Sequence, residues 1–432
     1  MIHIRQYWDL PEYGTYHPHS EEECLEELEH RLAEAVRIRL IADVPLGALL
    51  SGGVDSSTVV ALMARASSSP VKTFSIGFRS EDFNEAPHAR LVAQRFQTEH
   101  HELILEPNVV ETVEMLSRHL EEPFGDSSML PTYYVSCLAR RHVTVALSGD
   151  GGDEAFAGYD RYRIHLQERS HDWIPGWVLR SYRQYVHPRV PYYVPGRNLA
   201  YSISLPWAER YTEGISLQPF QREMALLSDD FMVSAQRLGS PLTLFRSYLD
   251  QAPASDPLSR VLYLDTKTYL PGDILTKVDR MSMATSLEAR VPLLDHVFLE
   301  WVTRLAARWK VQRGIQKYIL KQLAERVGVP KQVLDRPKQG FALPLVHWMR
   351  NELRELILTV LPEPRTLQRG YFNPRGVRRL LDEHFRGRRD HSPRIWRLLM
   401  FELWQRNFLE QSATGELPLP SGHAALLSEQ TR

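Results

Sequence analysis

Residues 49–57 read Leu-Leu-Ser-Gly-Gly-Val-Asp-Ser-Ser, and no other stretch constrains the chain as tightly. A short apolar run, Leu46 to Leu50, stops at Ser51-Gly52-Gly53, and a helix-like stretch resumes at Ser56. Glycines let the backbone turn sharply and approach an anion closely. The helix that follows points free N–H groups and the positive end of its dipole at that anion. Ser51, Ser56 and Ser57 add hydroxyl donors. Asp55 is a poor direct ligand for phosphate, but its carboxylate suits a Mg²⁺ that bridges phosphates. The loop has no lysine, so it is not the G-K-[ST] loop of classical kinases and GTPases.

The surroundings alternate between strand and helix patterns. Ser20 and Glu23 form a capping-box pattern, followed by a helical stripe of Leu25, Leu28, Leu32, Ala35, Val36 and Leu40. Residues 71–78, 101–105 and 143–147 read as strands. Helices are expected from Asn84 as N-cap, around 108–120, and around 129–141. Alternation across residues 40–155 is the signature of an α/β fold with a parallel sheet. The last strand runs into Ser-Gly-Asp-Gly-Gly-Asp-Glu, residues 148–154. Ligands of such sheets bind at the carboxyl ends of the strands, so both glycine loops should face one crevice. Asp150, Asp153 and Glu154 beside a phosphate would be costly without a divalent cation between them.

Beyond residue 160 the character changes. Residues 161–260 are rich in Arg, Tyr and Trp without a clean period, and 161–198 hold seven arginines against Glu168 and Asp172. Residues 260–410 read as helical, and the polar tail 411–432 is expected to be disordered. The organisation expected is a nucleotide-binding part over 1–160 and a mainly helical part over 161–410 that completes the site. With 52 Lys+Arg against 53 Asp+Glu, the balanced charge argues against a dedicated nucleic-acid binder. Two distant cysteines, Cys24 and Cys137, exclude a disulfide scaffold and suit a reducing, cytoplasmic setting. No apolar run approaches a membrane span, and the N-terminus has no signal-peptide pattern.

These motifs resemble the synthetase half of glutamine-dependent asparagine synthetase. The first loop looks like the pyrophosphate loop of the PP-loop ATP pyrophosphatase superfamily, whose nucleotide domain is adenine nucleotide alpha hydrolase-like. That loop alone also fits NAD, GMP and argininosuccinate synthetases. Narrower likeness lies in Tyr7 to Pro11, Thr73 to Gly77, Ser148 to Tyr159, Leu270 to Asp295, and Lys317 to Trp348.

The resemblance implies ATP as substrate and Mg²⁺ as cofactor. It implies adenine contacts from Leu49 and Ile76, and a phosphate cradle from Ser51, Gly52, Gly53, Ser56 and Ser57. Asp55 and Asp153 would hold Mg²⁺, and Ser148 and Gly149 would contact the nucleotide. Asp150 matches the position linked to the β-aspartyl-AMP intermediate and to handling of the ammonia proton. Lys338 matches a lysine that neutralises charge on the departing pyrophosphate, with Lys317 as a second candidate. Lys277, Asp279, Arg280, Glu288 and Arg290 are candidates for aspartate contacts or structural ion pairs.

The implied reaction is ATP-dependent conversion of aspartate and ammonia to asparagine, with release of AMP and pyrophosphate. Two departures stand out. Residue 2 is Ile where the family's glutaminase half begins with a nucleophilic cysteine, so this chain is expected not to hydrolyse glutamine. Ammonia would be free or come from a separate glutaminase, and a homodimer is open. Asp150 stands where several members carry Glu. This leaves open an amide or lactam synthetase acting on another carboxylate, or a non-catalytic paralogue.

Overall fold

The computed structural model describes residues 3–78, 84–105, 108–191, 194–215, 226–336 and 343–410. Helix α1, Glu21–Arg39, starts at the capping box: Ser20 Oγ accepts the Glu23 N–H at 3.1 Å. Glu23 reaches back to the His19 N–H at 2.7 Å, one residue earlier than the standard box. Then follow β1 (Leu46–Leu49), α2 (Val54–Ala66), β2 (Lys72–Phe78), α3 (Ala86–Phe96) and β3 (Glu99–Leu105). After these come α4 (Val109–Ser117), α5 (Met129–Arg140), β4 (Val145–Leu147), α6 (Gly152–Phe156) and α7 (Asp160–Arg169). Asn84 is not the cap residue of α3. Glu85 occupies that position with helical backbone angles, and the Asn84 amide oxygen takes the Ala86 N–H at 3.1 Å.

All neighbouring strands of the five-stranded sheet are parallel, in the order β3-β2-β1-β4-β5. β5 is Glu288–Arg290, far along the chain, with Glu288 beside Val145. Chain order runs outward from β1 through β2 to β3, then returns to place β4 on the other side of β1. That reversal is where a ligand crevice opens in a parallel sheet.

The sheet is buried between two cores. Successive strand residues face opposite sides, and Phe74, Ile76 and Phe78 of β2 all enter one core, with α4, α5 and helices from 348–403. Ala48 and Leu147 enter the other core, with α1, α2 and residues 258–264, 298–302 and 319–334. Burying a large apolar side chain contributes about 1.5–3 kcal/mol, so these cores fix the strand ends and the loops attached to them.

The aperiodic stretch after residue 160 is built of short helices, among them Gly176–Ser181, Arg197–Ser204 and Trp207–Ile215, with a π-helical turn at Tyr182–Val186. Elements this short leave no sustained period in a sequence. No helix among the described residues is long and apolar enough to cross a membrane. Lys338 and the tail 411–432 lie outside the described residues.

Candidate active site

β1 and β4 are neighbours in register, Ala48 beside Leu147, so their carboxyl-end loops emerge side by side. The loops pack closely. A Cβ on Gly149 would stand 2.5 Å from the Ser56 nitrogen, and one on Gly152 would stand 2.5 Å from Asp55 Oδ1. Only glycine permits that approach. Gly53 caps α2 with extended backbone and no side-chain cap bond, leaving the first N–H groups of α2 without intrahelical partners.

These loops border a cleft of about 900 Å³. Of the residues expected at a nucleotide site, Leu49, Ser51, Gly53, Asp55, Ser56 and Ile76 line it. Ser148, Gly149, Asp150, Asp153 and Lys317 line it too. Gly52 and Ser57 do not. Gly52 is pressed against α3, where a Cβ would come 2.6 Å from the Ala89 nitrogen. Ser57 is fully buried in α2, its N–H bonded to Gly53 O at 3.0 Å.

Lys317 sits between the two loops. It caps helix Tyr318–Arg326 in the left-handed region, φ 53°, a conformation held by the bond from its N–H to Phe156 O at 3.2 Å. Its ammonium lies 2.7 Å from Asp153 Oδ1 and also bonds Asp55 Oδ2. Burial opposes the charge, but the Asp153 and Asp55 carboxylates outweigh it and hold the ammonium above the ordinary lysine value. Among the described residues no group of three or more His, Cys, Asp or Glu side chains is arranged to hold a metal.

A second charge cluster also lines the cleft. Lys277 Nζ lies 2.8 Å from Asp126 Oδ2 and 2.7 Å from Ser128 Oγ. Burial works against this ammonium too, and Asp126 prevails. Burial and Asp126 push Asp273 up to about 6. Asp150 is half-buried, and burial raises its pKa despite the 2.7 Å hydrogen bond donated by Ser148 Oγ. Of the residues grouped with Lys277 in the sequence, none joins it. Arg280 pairs with Glu121 at 2.8 Å, Arg290 with Glu288 at 2.6 Å, and Asp279 is exposed.

Glu154, the last residue of the second glycine loop, is buried, accepts a 2.7 Å bond from Tyr159 OH, and is pushed up to about 7 by burial and by Asp153. Arg161, which carries no local sequence signal, does not itself line the cleft; it lies 4.0 Å from the Tyr159 ring and 4.2 Å from the Tyr269 ring, both of which do, and is fixed to buried Asp265 at 2.8 and 3.0 Å. Arg336 pairs with Glu85 at the cleft edge. His100 does not line the cleft and is bonded to Thr73 at 2.9 Å and Ser75 at 3.2 Å, a structural placement. His101 stacks on His142 with ring centroids 3.8 Å apart.

A parallel sheet with two glycine-rich acidic loops at its central strand ends defines an α/β protein of the nucleotide-binding class. The asparagine synthase family model matches residues 27–406, and the chain belongs to that family. It is 31% identical over 392 residues to asparagine synthetase [glutamine-hydrolyzing] 1 of Bacillus subtilis, covering 90% of this chain and 60% of that protein. It is 35% identical over 394 residues to a putative asparagine synthetase [glutamine-hydrolyzing] of Mycobacterium bovis, covering 90% of this chain and 58% of that one. A more distant relative, amidase chyE of Penicillium rubens, is 26% identical over 428 residues, covering 88% of this chain and 62% of that protein. The chain thus spans about three-fifths of the length of these relatives. The synthetase-half resemblance and the parallel α/β fold expected from the sequence both hold.

Proposed function

We propose that the chain is an ATP-dependent, amide-forming ligase that converts aspartate to asparagine through a β-aspartyl-AMP intermediate. The observation that carries this reading is the convergence of Asp55 and Asp153, from the first turns of α2 and α6, on one buried cation beside the N-terminus of α2. Family membership supports the ATP-dependent amide chemistry. The aspartate acceptor and the adenylate are inferred from it.

In this reading residues 1–160 supply both glycine loops, and residues 161–410 supply Lys317 and Lys338. Ser51, Gly53, Ser56 and the first N–H groups of α2 hold the β- and γ-phosphates, backed by Gly52 and Ser57. Leu49 and Ile76 take the adenine, and Ser148 and Gly149 the rest of the nucleotide. The donor set fits Mg²⁺, because magnesium is commonly held by one or two protein carboxylates together with phosphate oxygens. Asp55 and Asp153 would hold it, and its charge would offset that of the phosphates. An oxygen of the aspartate side chain attacks the α-phosphorus, and the bond to the β-phosphate breaks to release pyrophosphate. Lys317 and Lys338 place positive charge where the leaving group gains negative charge. Ammonia then attacks the acyl carbon and AMP departs. Asp150 takes the proton the nitrogen loses, a task suited to a carboxylate whose pKa burial has raised. Nitrogen arrives as free ammonia or from a separate glutaminase.

The amidase-named relatives favour a second reading, the same chemistry on another carboxylate. Pyrophosphate and AMP release, measured over a panel of carboxylates with ammonium or glutamine, separates the two. Aspartate with ammonium should give the highest rate. Asp55→Asn and Asp153→Asn should each lower it about a hundredfold or more, as expected for a lost electrostatic stabiliser. Near-normal rates in both variants would remove the two carboxylates from the chemistry.

A further inference from the structure

The cations lining the cleft are almost all committed to acids. Lys317 is held by Asp55 and Asp153, Lys277 by Asp126, and Arg336 by Glu85, while Arg163 stands 3.7 Å from Asp160. Lys321 is the exception. It lines the cleft, is half-buried, and among the described residues has no carboxylate within the 4.0 Å of an ion pair. Asp335 and Asp55 attract it from farther away, while burial and the Lys317 ammonium push its pKa below the ordinary lysine value.

Its position is unfavourable for a lysine with a purely structural role. Lys317 caps helix Tyr318–Arg326 and Lys321 follows four residues later; both line the cleft, and the Lys317 charge acts on Lys321. Positive side chains in the first helical turn oppose the helix dipole. Partial burial of an ammonium without an acid beside it adds a desolvation cost. A polyanion in the cleft offsets both.

We propose that Lys321 is a further anion-contact residue of this cleft, binding the pyrophosphate end of the nucleotide and the pyrophosphate product. The inference rests on the ATP-dependent reading above and deepens it, assigning Lys321 to the same anion as Lys317.

The test is calorimetric titration of the full chain with magnesium pyrophosphate and, separately, with AMP, for the wild type, Lys321→Met and Lys321→Arg. The Met variant should bind pyrophosphate about tenfold or more weakly, the loss expected of one charge-assisted hydrogen bond. The Arg variant should stay within a few-fold, AMP affinity should be unchanged in both, and the melting temperature of the Met variant should not fall. A residue with a packing role alone would not separate pyrophosphate from AMP. Equal pyrophosphate affinity in the wild type and the Met variant overturns the inference while leaving the ATP reading intact. A wild-type chain that binds neither ATP nor pyrophosphate overturns that reading, and this inference with it.

Discussion

A buried lysine flanks each strand of the hairpin Val311–Gln312 and Ile315–Gln316, and the two environments are opposites. Lys317, which lines the cleft, meets two carboxylates more than 160 residues away in sequence, and its charge is reinforced. Lys310 is 1% exposed and lies 5.1 Å from the face of the Tyr13 ring. Burial pulls it down to about 7, with Asp256 opposing only weakly. The same residue type, buried in both places, is a reinforced cation in one and an amine whose charge burial opposes in the other. Burial alone therefore does not mark a functional lysine. What marks Lys317 is the convergence of charged groups from separate elements, which folding has to assemble against their desolvation cost.

Substituting methionine for the two lysines should give effects of opposite sign. Lys317→Met removes the ammonium from between Asp55 and Asp153. Breaking a buried ion pair from one side costs about 3–5 kcal/mol, so chemical denaturation of the nucleotide-free protein should show a loss of that order. Added Mg²⁺ should recover part of it if the two carboxylates can share a divalent ion. A variant as stable as the wild type would mean that the carboxylates do not depend on Lys317.

Lys310→Met should stabilise. The folded-state value near 7 lies below the unfolded value near 10.4, so unfolding takes up a proton between them. The folded state is favoured most above the upper value and loses stability as pH falls through the lower one. Removing the amine should raise stability at pH 7 by about 1–3 kcal/mol, and the gain should shrink towards pH 10. Melting curves of both proteins across that range provide the check, and a destabilised variant at pH 7 would contradict the comparison.

Lys277 falls between these extremes, with Asp126 on one side and Asp273 near it. The folded value of Asp273, about 6, lies above that of an unfolded aspartate, so its stabilising contribution is lost as pH rises through 6. Asp273→Asn should therefore stabilise by about 1 kcal/mol at pH 8 and leave stability unchanged near pH 4. An equal effect at both values would show that charge is not the cause.

The contrast between the two lysines also explains what the sequence made legible. The Ser51–Ser57 loop and the Ser148–Glu154 loop are local patterns, glycines and acids at the end of a strand, and both were recognisable before any fold was known. Lys317 ranked below Lys338 because nothing around Lys317 in sequence announces Asp55, 262 residues away. Asp126 beside Lys277 was hidden for the same reason, across 151 residues. Lys321 gave no signal, since a lysine four residues into a helix is ordinary on an exposed face and informative only once the cleft is in place. Strand β5 escaped because Glu288–Arg290 is three residues long and takes its identity from pairing with β4. Local chemistry was legible, and contacts closed by topology were not.

The central claim is that the cleft activates a carboxylate by adenylation. Aspartate labelled with heavy oxygen in its side-chain carboxylate, turned over with ATP and ammonium, tests it most directly when the AMP is analysed by mass spectrometry. An acyl-adenylate route leaves one labelled oxygen in the amide and transfers the other to AMP. One heavy oxygen per AMP formed is the expected result. Unlabelled AMP, or cleavage of ATP to ADP and phosphate instead, would contradict the account.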